Sequence, residues 1–159
     1  MTSQAPILVA GGGPAGCAAA ITLARLGHAV RLVTREASQD SGGLVVSLPP
    51  SVGKVLDLLD ARAAIDAAGF VATAGNTAWW GVDDAQSTTF PEGATGWQAD
   101  LGRLSAVLRA EAARAGVAVD ERRLEDGAPG AAEEWRVDAT GRAGVLARRV
   151  TTRLEEPAL

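Results

Sequence analysis

Along the first third of the chain the spacing of apolar residues changes twice. Ile7, Leu8 and Val9 form an unbroken apolar run, the pattern of a strand buried on both faces. From Cys17 the period lengthens, and Cys17, Ala20, Ile21 and Ala24 fall on one stripe of a helix. Gly27 stops that helix, and residues 29–33 return to a strand pattern. Residues 6–35 therefore predict strand, glycine turn, helix, strand.

Downstream the signals are shorter. Residues 36–43 read as a loop and 44–48 as a short strand, broken by Pro49 and Pro50. Ser51 is placed as an N-cap, and Val52, Val55, Leu56 and Leu59 repeat with helical spacing over about three turns. A second helical piece over 61–68 ends at Gly69. Residues 76–81, with Trp79 and Trp80, and residues 88–90 predict a small antiparallel excursion. Neighbouring residues of a strand face opposite ways, so only one tryptophan can line a given pocket. Covering a core edge is the commoner role for such residues.

Residues 96–100 lead into a helix with Leu104, Val107, Leu108, Ala112 and Ala115 inside. Arg103, Arg109, Glu111 and Arg114 are expected on its solvent face. Gly116 ends it, 117–119 form a strand, 121–134 a charged loop or short helix, and 135–139 a last strand. No internal repeat is evident. The expected fold is α/β: a Rossmann-like dinucleotide-binding fold with a mainly parallel sheet and a small antiparallel excursion, one domain over 1–159.

The chemistry concentrates where the first strand becomes helix. Gly11, Gly13 and Gly16 spell G-x-G-x-x-G, with strand before and helix and strand after, the context that gives this motif meaning. The first glycine makes the tight turn, the second admits a pyrophosphate to bare backbone, and the third brings helix and strand close. Pro14 stands in the first helical turn, where a missing N–H costs little, and Ala15 follows it. Gly11, Gly13, Pro14, Ala15 and Gly16 are thus the candidate cofactor contacts at the helix N-terminus. A glycine-rich turn that binds nothing is the bland reading.

Thr34 stands at the end of the second strand, where such folds usually carry an acidic ribose ligand. Arg35 follows it and is suited to a 2′-phosphate, so NAD(P) is the alternative to a flavin dinucleotide.

Composition narrows the partners. A net charge of −4 gives no reason to expect nucleic acid or an anionic membrane, and no apolar run is long enough to span a bilayer. The N-terminus carries no secretion-signal pattern, and a cytoplasmic location is expected. One cysteine and one histidine exclude an internal disulfide, leave a histidine-based triad unsupported and argue against a metal site. Cys17 is read as a small packed residue rather than a reactive thiol. His28 is expected in a turn, and Arg142, Arg148, Arg149 and Arg153 as solvated tail charges.

The wording G-G-G-P-A-G, followed by L-A-R-L-G-H, resembles the N-terminal segment of FAD-dependent oxidoreductases of the aromatic-hydroxylase and tryptophan-halogenase type. S-L-P-P-S-V-G-K-V-L-D-L-L, the W-W-G segment, the G-W-Q helix and D-A-T-G-R come after it in family order. The W-W-G and G-W-Q elements are most similar to halogenase-like flavoproteins, including those that mature quinone-cofactor oxidases. The resemblance implies FAD as cofactor, with Gln98 near the flavin and Gly141 beside its adenosine half. It also implies departures: Val46 and Leu101 occupy positions where relatives carry an acidic residue and an arginine, and Thr34 replaces the ribose acid. The family's later G-D motif and substrate sheet have no counterpart here. These departures imply weakened cofactor binding, no nameable catalytic residue, and an FAD-binding domain that is either truncated or completed by another chain. A degenerate, non-catalytic binding module is the rival reading.

Overall fold

The computed structural model describes residues 5–35, 43–81, 84–122 and 135–149. In chain order its elements are β1 (Ile7–Ala10), α1 (Pro14–Arg25), β2 (Val30–Thr34), β3 (Val45–Leu48), α2 (Val52–Leu58), α3 (Arg62–Ala67), β4 (Val71–Thr73), β5 (Gly75–Ala78), β6 (Gln86–Thr89), β7 (Gly96–Asp100), α4 (Leu101–Arg114), β8 (Ala118–Glu121) and β9 (Arg136–Asp138). They form two compact units, one from residues 1–38 and 108–159, the other from 39–107, with the boundary inside α4. Of the loop expected at 36–43 and the loop or short helix expected at 121–134, residues 36–42 and 123–134 lie outside the described residues, as does the tail from 150, and Glu121 closes β8.

The first unit holds a parallel sheet in the order β8-β2-β1-β9. Its inner strands are the apolar runs seen in the sequence: Leu8, Val9 and Ala10 of β1 and Val30, Leu32 and Val33 of β2 are all buried. Parallel neighbours cannot be joined by a tight hairpin, and α1 supplies the crossover from β1 to β2. Gly16, Cys17, Ala20 and Ile21 are the buried stripe of α1. The helix ends with Gly27 in the left-handed region (φ 88°), its N–H bonded to the Ala24 carbonyl and that of His28 to the Leu23 carbonyl. His28 is exposed there.

β9 ends on Asp138, whose carboxylate organises the turn after the strand. One oxygen accepts from the Thr140 amide (3.0 Å) and hydroxyl (2.6 Å), the other from the Leu146 and Ala147 amides (2.9 and 2.8 Å). Burial pushes the carboxyl pKa up, but these hydrogen bonds outweigh it and leave it below the ordinary carboxylate value.

The second unit is built on an antiparallel sheet in the order β3-β7-β4 and a separate β5-β6 hairpin. The hairpin is the expected excursion. β7, by contrast, is visible in the sequence only as a lead-in: five residues containing Gln98 and Asp100 and running straight into α4 carry too little alternation to announce a central strand. α2 is seven residues long, shorter than its periodicity suggests. Leu56 and Leu59 are buried, whereas Val55 is half exposed. Ser51 adopts helical dihedrals and makes no side-chain cap bond, so the expected N-cap does not form. Trp79 and Trp80 lie past the end of β5 and are 64% and 85% exposed, not packed over a core edge.

On the face of α4 expected in solvent, Arg103 and Arg114 are exposed, but Glu111 is buried and paired with Arg114 at 2.9 Å, and the Arg109 side chain is 12% exposed.

Replacing Asp138 by Ala strands three amides and a hydroxyl. The expected cost is about 2 kcal/mol at pH 7 by urea denaturation. Because the folded carboxyl titrates below its unfolded value, its stabilisation is present above the ordinary carboxylate range and is lost as pH falls through the lowered folded value. The gap between wild type and Asp138→Ala should therefore close on acidification.

Candidate functional site

The glycine turn lies at the carboxyl end of β1, within the first unit. Gly11 donates its N–H to the Val33 carbonyl at 2.8 Å, which ties the turn to β2. Its φ of 109° is open to glycine, and a Cβ there would overlap the Ala139 carbonyl oxygen. A Cβ on Gly16 would overlap the Gly11 carbonyl oxygen and press on the Ala139 methyl at 3.3 Å. These two glycines are thus needed by the chain itself, because β1, α1 and the exit of β9 meet backbone to backbone.

Gly13 is different. It is the N-cap of α1 with φ −77° and ψ 179°, extended backbone that any residue adopts, and a Cβ there meets nothing within 4 Å. Neither strain nor internal packing calls for glycine at 13. Among the described residues, no backbone acceptor takes the amides of Gly12, Gly13, Ala15 or Gly16. The Gly13 carbonyl is used inward, accepting from the Cys17 amide at 3.0 Å. Pro14 opens the helix, where it displaces no hydrogen bond, and Ala15 is exposed.

Gly12, which the motif leaves unspecified, is buried and as constrained as its neighbours. A Cβ on it would overlap the Thr34 side chain and approach the Arg109 stem at 3.1 Å. Its carbonyl accepts from the Arg109 guanidinium at 3.2 Å and faces the Cys17 thiol at 3.5 Å. Arg109 also stands 3.9 Å from Glu121 of β8. The periodicity of α4 assigns this arginine to solvent; its contact with Gly12 spans 97 positions and leaves no local signal.

Thr34 is 8% exposed, and its hydroxyl donates to the Arg35 carbonyl at 3.2 Å. Arg35 is exposed. Gly141 comes after β9 with φ 63° and no neighbour within 4 Å of a Cβ. Gly11, Gly13, Pro14, Ala15, Gly16, Thr34, Arg35 and Gly141 therefore all belong to the first unit. Gln98 belongs to the second, in β7, where its amide donates to the Ser47 hydroxyl at 3.1 Å across the β3–β7 pair. Arg103, in the same unit, donates to the Ala68 carbonyl at 2.7 Å and stacks on Phe70. That unit also carries an open cleft of about 420 Å³ between Pro50, Asp66 and Thr95, with Arg62 over the Trp97 ring.

Cys17 is fully buried. Burial pushes its thiol up to about 11, and the nearby Arg109 charge offsets this only partly. Among the described residues there is no cluster of histidine, cysteine, aspartate or glutamate able to hold a metal ion, and no helix long and apolar enough to cross a membrane.

Native Cys17 should resist thiol reagents at pH 8. Its stabilising contribution is complete below the ordinary thiol value of 9.0 and is lost as pH climbs towards about 11, a decline that Cys17→Ala should abolish in denaturation curves. Gly16→Ala, which helix propensity alone would favour by about 1 kcal/mol, should instead destabilise by about 2–3 kcal/mol because a carbonyl occupies the space. Gly13→Ala should stay within about 1 kcal/mol of wild type in the same urea assay.

Comparison with known proteins finds similarity in sequence and in fold. The family profile described as glucose inhibited division protein A matches residues 6–71. A tryptophan 2-halogenase of Chondromyces crocatus is 44% identical over 81 residues, 51% of this chain and 15% of that protein. The myxobacterial chondrochloren halogenase, described as a variant of the FAD-dependent halogenases, superposes with a TM-score of 0.64 at 28% identity, over 76% of this chain and 29% of the other. A peptidyl tryptophan dihydroxylase of tryptophylquinone cofactor biogenesis superposes at 0.58 with 30% identity, over 77% and 26%. The chain thus spans less than a third of each of these relatives. In sequence and in fold it is related to the N-terminal, FAD-binding part of the flavin-dependent halogenases and hydroxylases.

Proposed function

We propose that this chain is an FAD-binding domain of a halogenase-like flavin-dependent oxidoreductase or monooxygenase, incomplete for catalysis alone. The observation that carries this reading is Gly13. The residue has no conformational or packing need to be glycine: a Cβ there would meet nothing within 4 Å, and the amides of Gly12, Gly13, Ala15 and Gly16 have no described backbone acceptor. That is the signature of a cradle kept bare for a ligand, and an anion is what a helix N-terminus favours.

In this reading the amides of Gly13, Ala15 and Gly16 hold the FAD diphosphate. Pro14 pre-forms the first turn, and Gly11 sets the approach of β1. Gly141 flanks the adenosine, Thr34 and Arg35 border the ribose, and Gln98 serves the flavin end. Residues 1–159 are taken as a single FAD-binding domain. Bound flavin supplies the redox chemistry. The substrate side of its ring is built by sequence outside this segment or by a second chain, as the short overlap with the relatives supports. The cofactor is a small molecule, with no nucleic acid or membrane partner, and the protein works in the cytoplasm.

Thr34 supports a weak grip on the ribose: it is buried, its hydroxyl is engaged, and it offers no carboxylate. The exposed Arg35 favours NAD(P) as the competing ligand. Titration of the purified chain with FAD and with NADPH separates these. FAD should bind more tightly and change its visible spectrum, and Gly13→Ala should weaken FAD by about tenfold or more while unfolding like wild type. Tighter binding of NADPH overturns the flavin assignment. Binding of neither leaves the non-catalytic module as the reading.

A further inference from the structure

A charged group that contacts the glycine turn lies far from it in the sequence. Arg109 comes from the second half of α4, and its guanidinium, on a side chain only 12% exposed, donates to the Gly12 carbonyl. The stem of Arg109 lies against Gly12 so closely that a Cβ on that glycine would stand 3.1 Å from it. Glu121 sits 3.9 Å behind the guanidinium and is half exposed, so the charge is balanced but not consumed. A buried guanidinium is costly unless hydrogen-bonded, which makes this contact one the fold keeps.

The consequence is geometric. The Gly12–Gly13 peptide is planar and trans, so its N–H points opposite to its C=O. With the carbonyl held towards Arg109 and the Cys17 thiol, the Gly13 N–H is directed away from both, and no described backbone acceptor receives it. Without that hold, a peptide between two glycines is the segment of the turn freest to rotate.

We propose that Arg109 is a positioning residue for the anion-binding turn: it anchors the Gly12 carbonyl inward and so presents the Gly13 amide to the diphosphate. Arg109 touches no ligand in this role. It lowers the reorganisation needed on binding and adds positive potential beneath the turn.

The binding arm of the test rests on the FAD reading. The full 159-residue chain is prepared as wild type, Arg109→Met and Arg109→Lys. Each is titrated calorimetrically with FAD, ADP and riboflavin at a temperature where circular dichroism shows it folded. Loss of one charge-assisted hydrogen bond predicts about tenfold weaker FAD and ADP for Arg109→Met. Riboflavin, which has no diphosphate, should be unchanged. Arg109→Lys, which keeps charge but not the same reach, should fall between.

Wild-type affinity in Arg109→Met overturns the proposal, as does full rescue by Lys, which would leave charge without positioning. Equal weakening of riboflavin overturns it too, because a merely structural defect would act on all three. If the wild type binds neither FAD nor ADP, the flavin reading fails by itself. Ligand-free crystal structures of wild type and Arg109→Met then decide the positioning: a rotated Gly12–Gly13 peptide in the variant supports it, and an unchanged peptide overturns it.

Discussion

Everything in the first unit depends on three backbones meeting without side chains between them. Gly16 touches the Gly11 carbonyl, and Gly11 touches Ala139 as the chain leaves β9. These contacts bring the N-terminus of α1 over the ends of β1 and β9, with no Cβ able to act as a spacer. Side chains elsewhere tolerate some repacking, because rotamers can adjust. Backbone against backbone cannot, so the geometry of the turn is set by the absence of atoms.

The polar groups around the turn divide the labour. Asp138 consumes three amides and a hydroxyl to hold the segment after β9, and Arg109 holds the Gly12 carbonyl. Cys17 lies fully buried beneath the turn as a neutral thiol. What remains without a described backbone acceptor are the amides of Gly12, Gly13, Ala15 and Gly16. A surface of that kind attracts an anion through fixed dipoles, with no ionisable side chain needed in contact with it.

The second unit spends its recognisable residues on itself. Gln98 pairs with Ser47 across the sheet, Arg103 covers Phe70 and caps the end of α3 through Ala68, and Arg62 lies over Trp97. Each of these could be mistaken for a ligand contact on sequence grounds. Its exposed tryptophans show the converse: Trp79 and Trp80 follow the last residue of β5 and, among the described residues, stay largely in solvent.

Local order was legible because it is written in local spacing. The apolar runs of β1 and β2, the stripe of α1 and the glycines at 27 and 116 act within a few residues, and each lies where the pattern put it. The parallel order of β2, β1 and β9 agrees with the resemblance rather than with any single signal. Tertiary structure decided what depends on distant partners. It made β7 a central strand, buried Glu111, and turned Arg109 from a solvent residue into the group beneath Gly12. It also separated the three motif glycines, two demanded by internal contact and one left free. A helix period reports which face a residue occupies, but not what the rest of the chain brings to that face, and 97 intervening positions carry no trace of it.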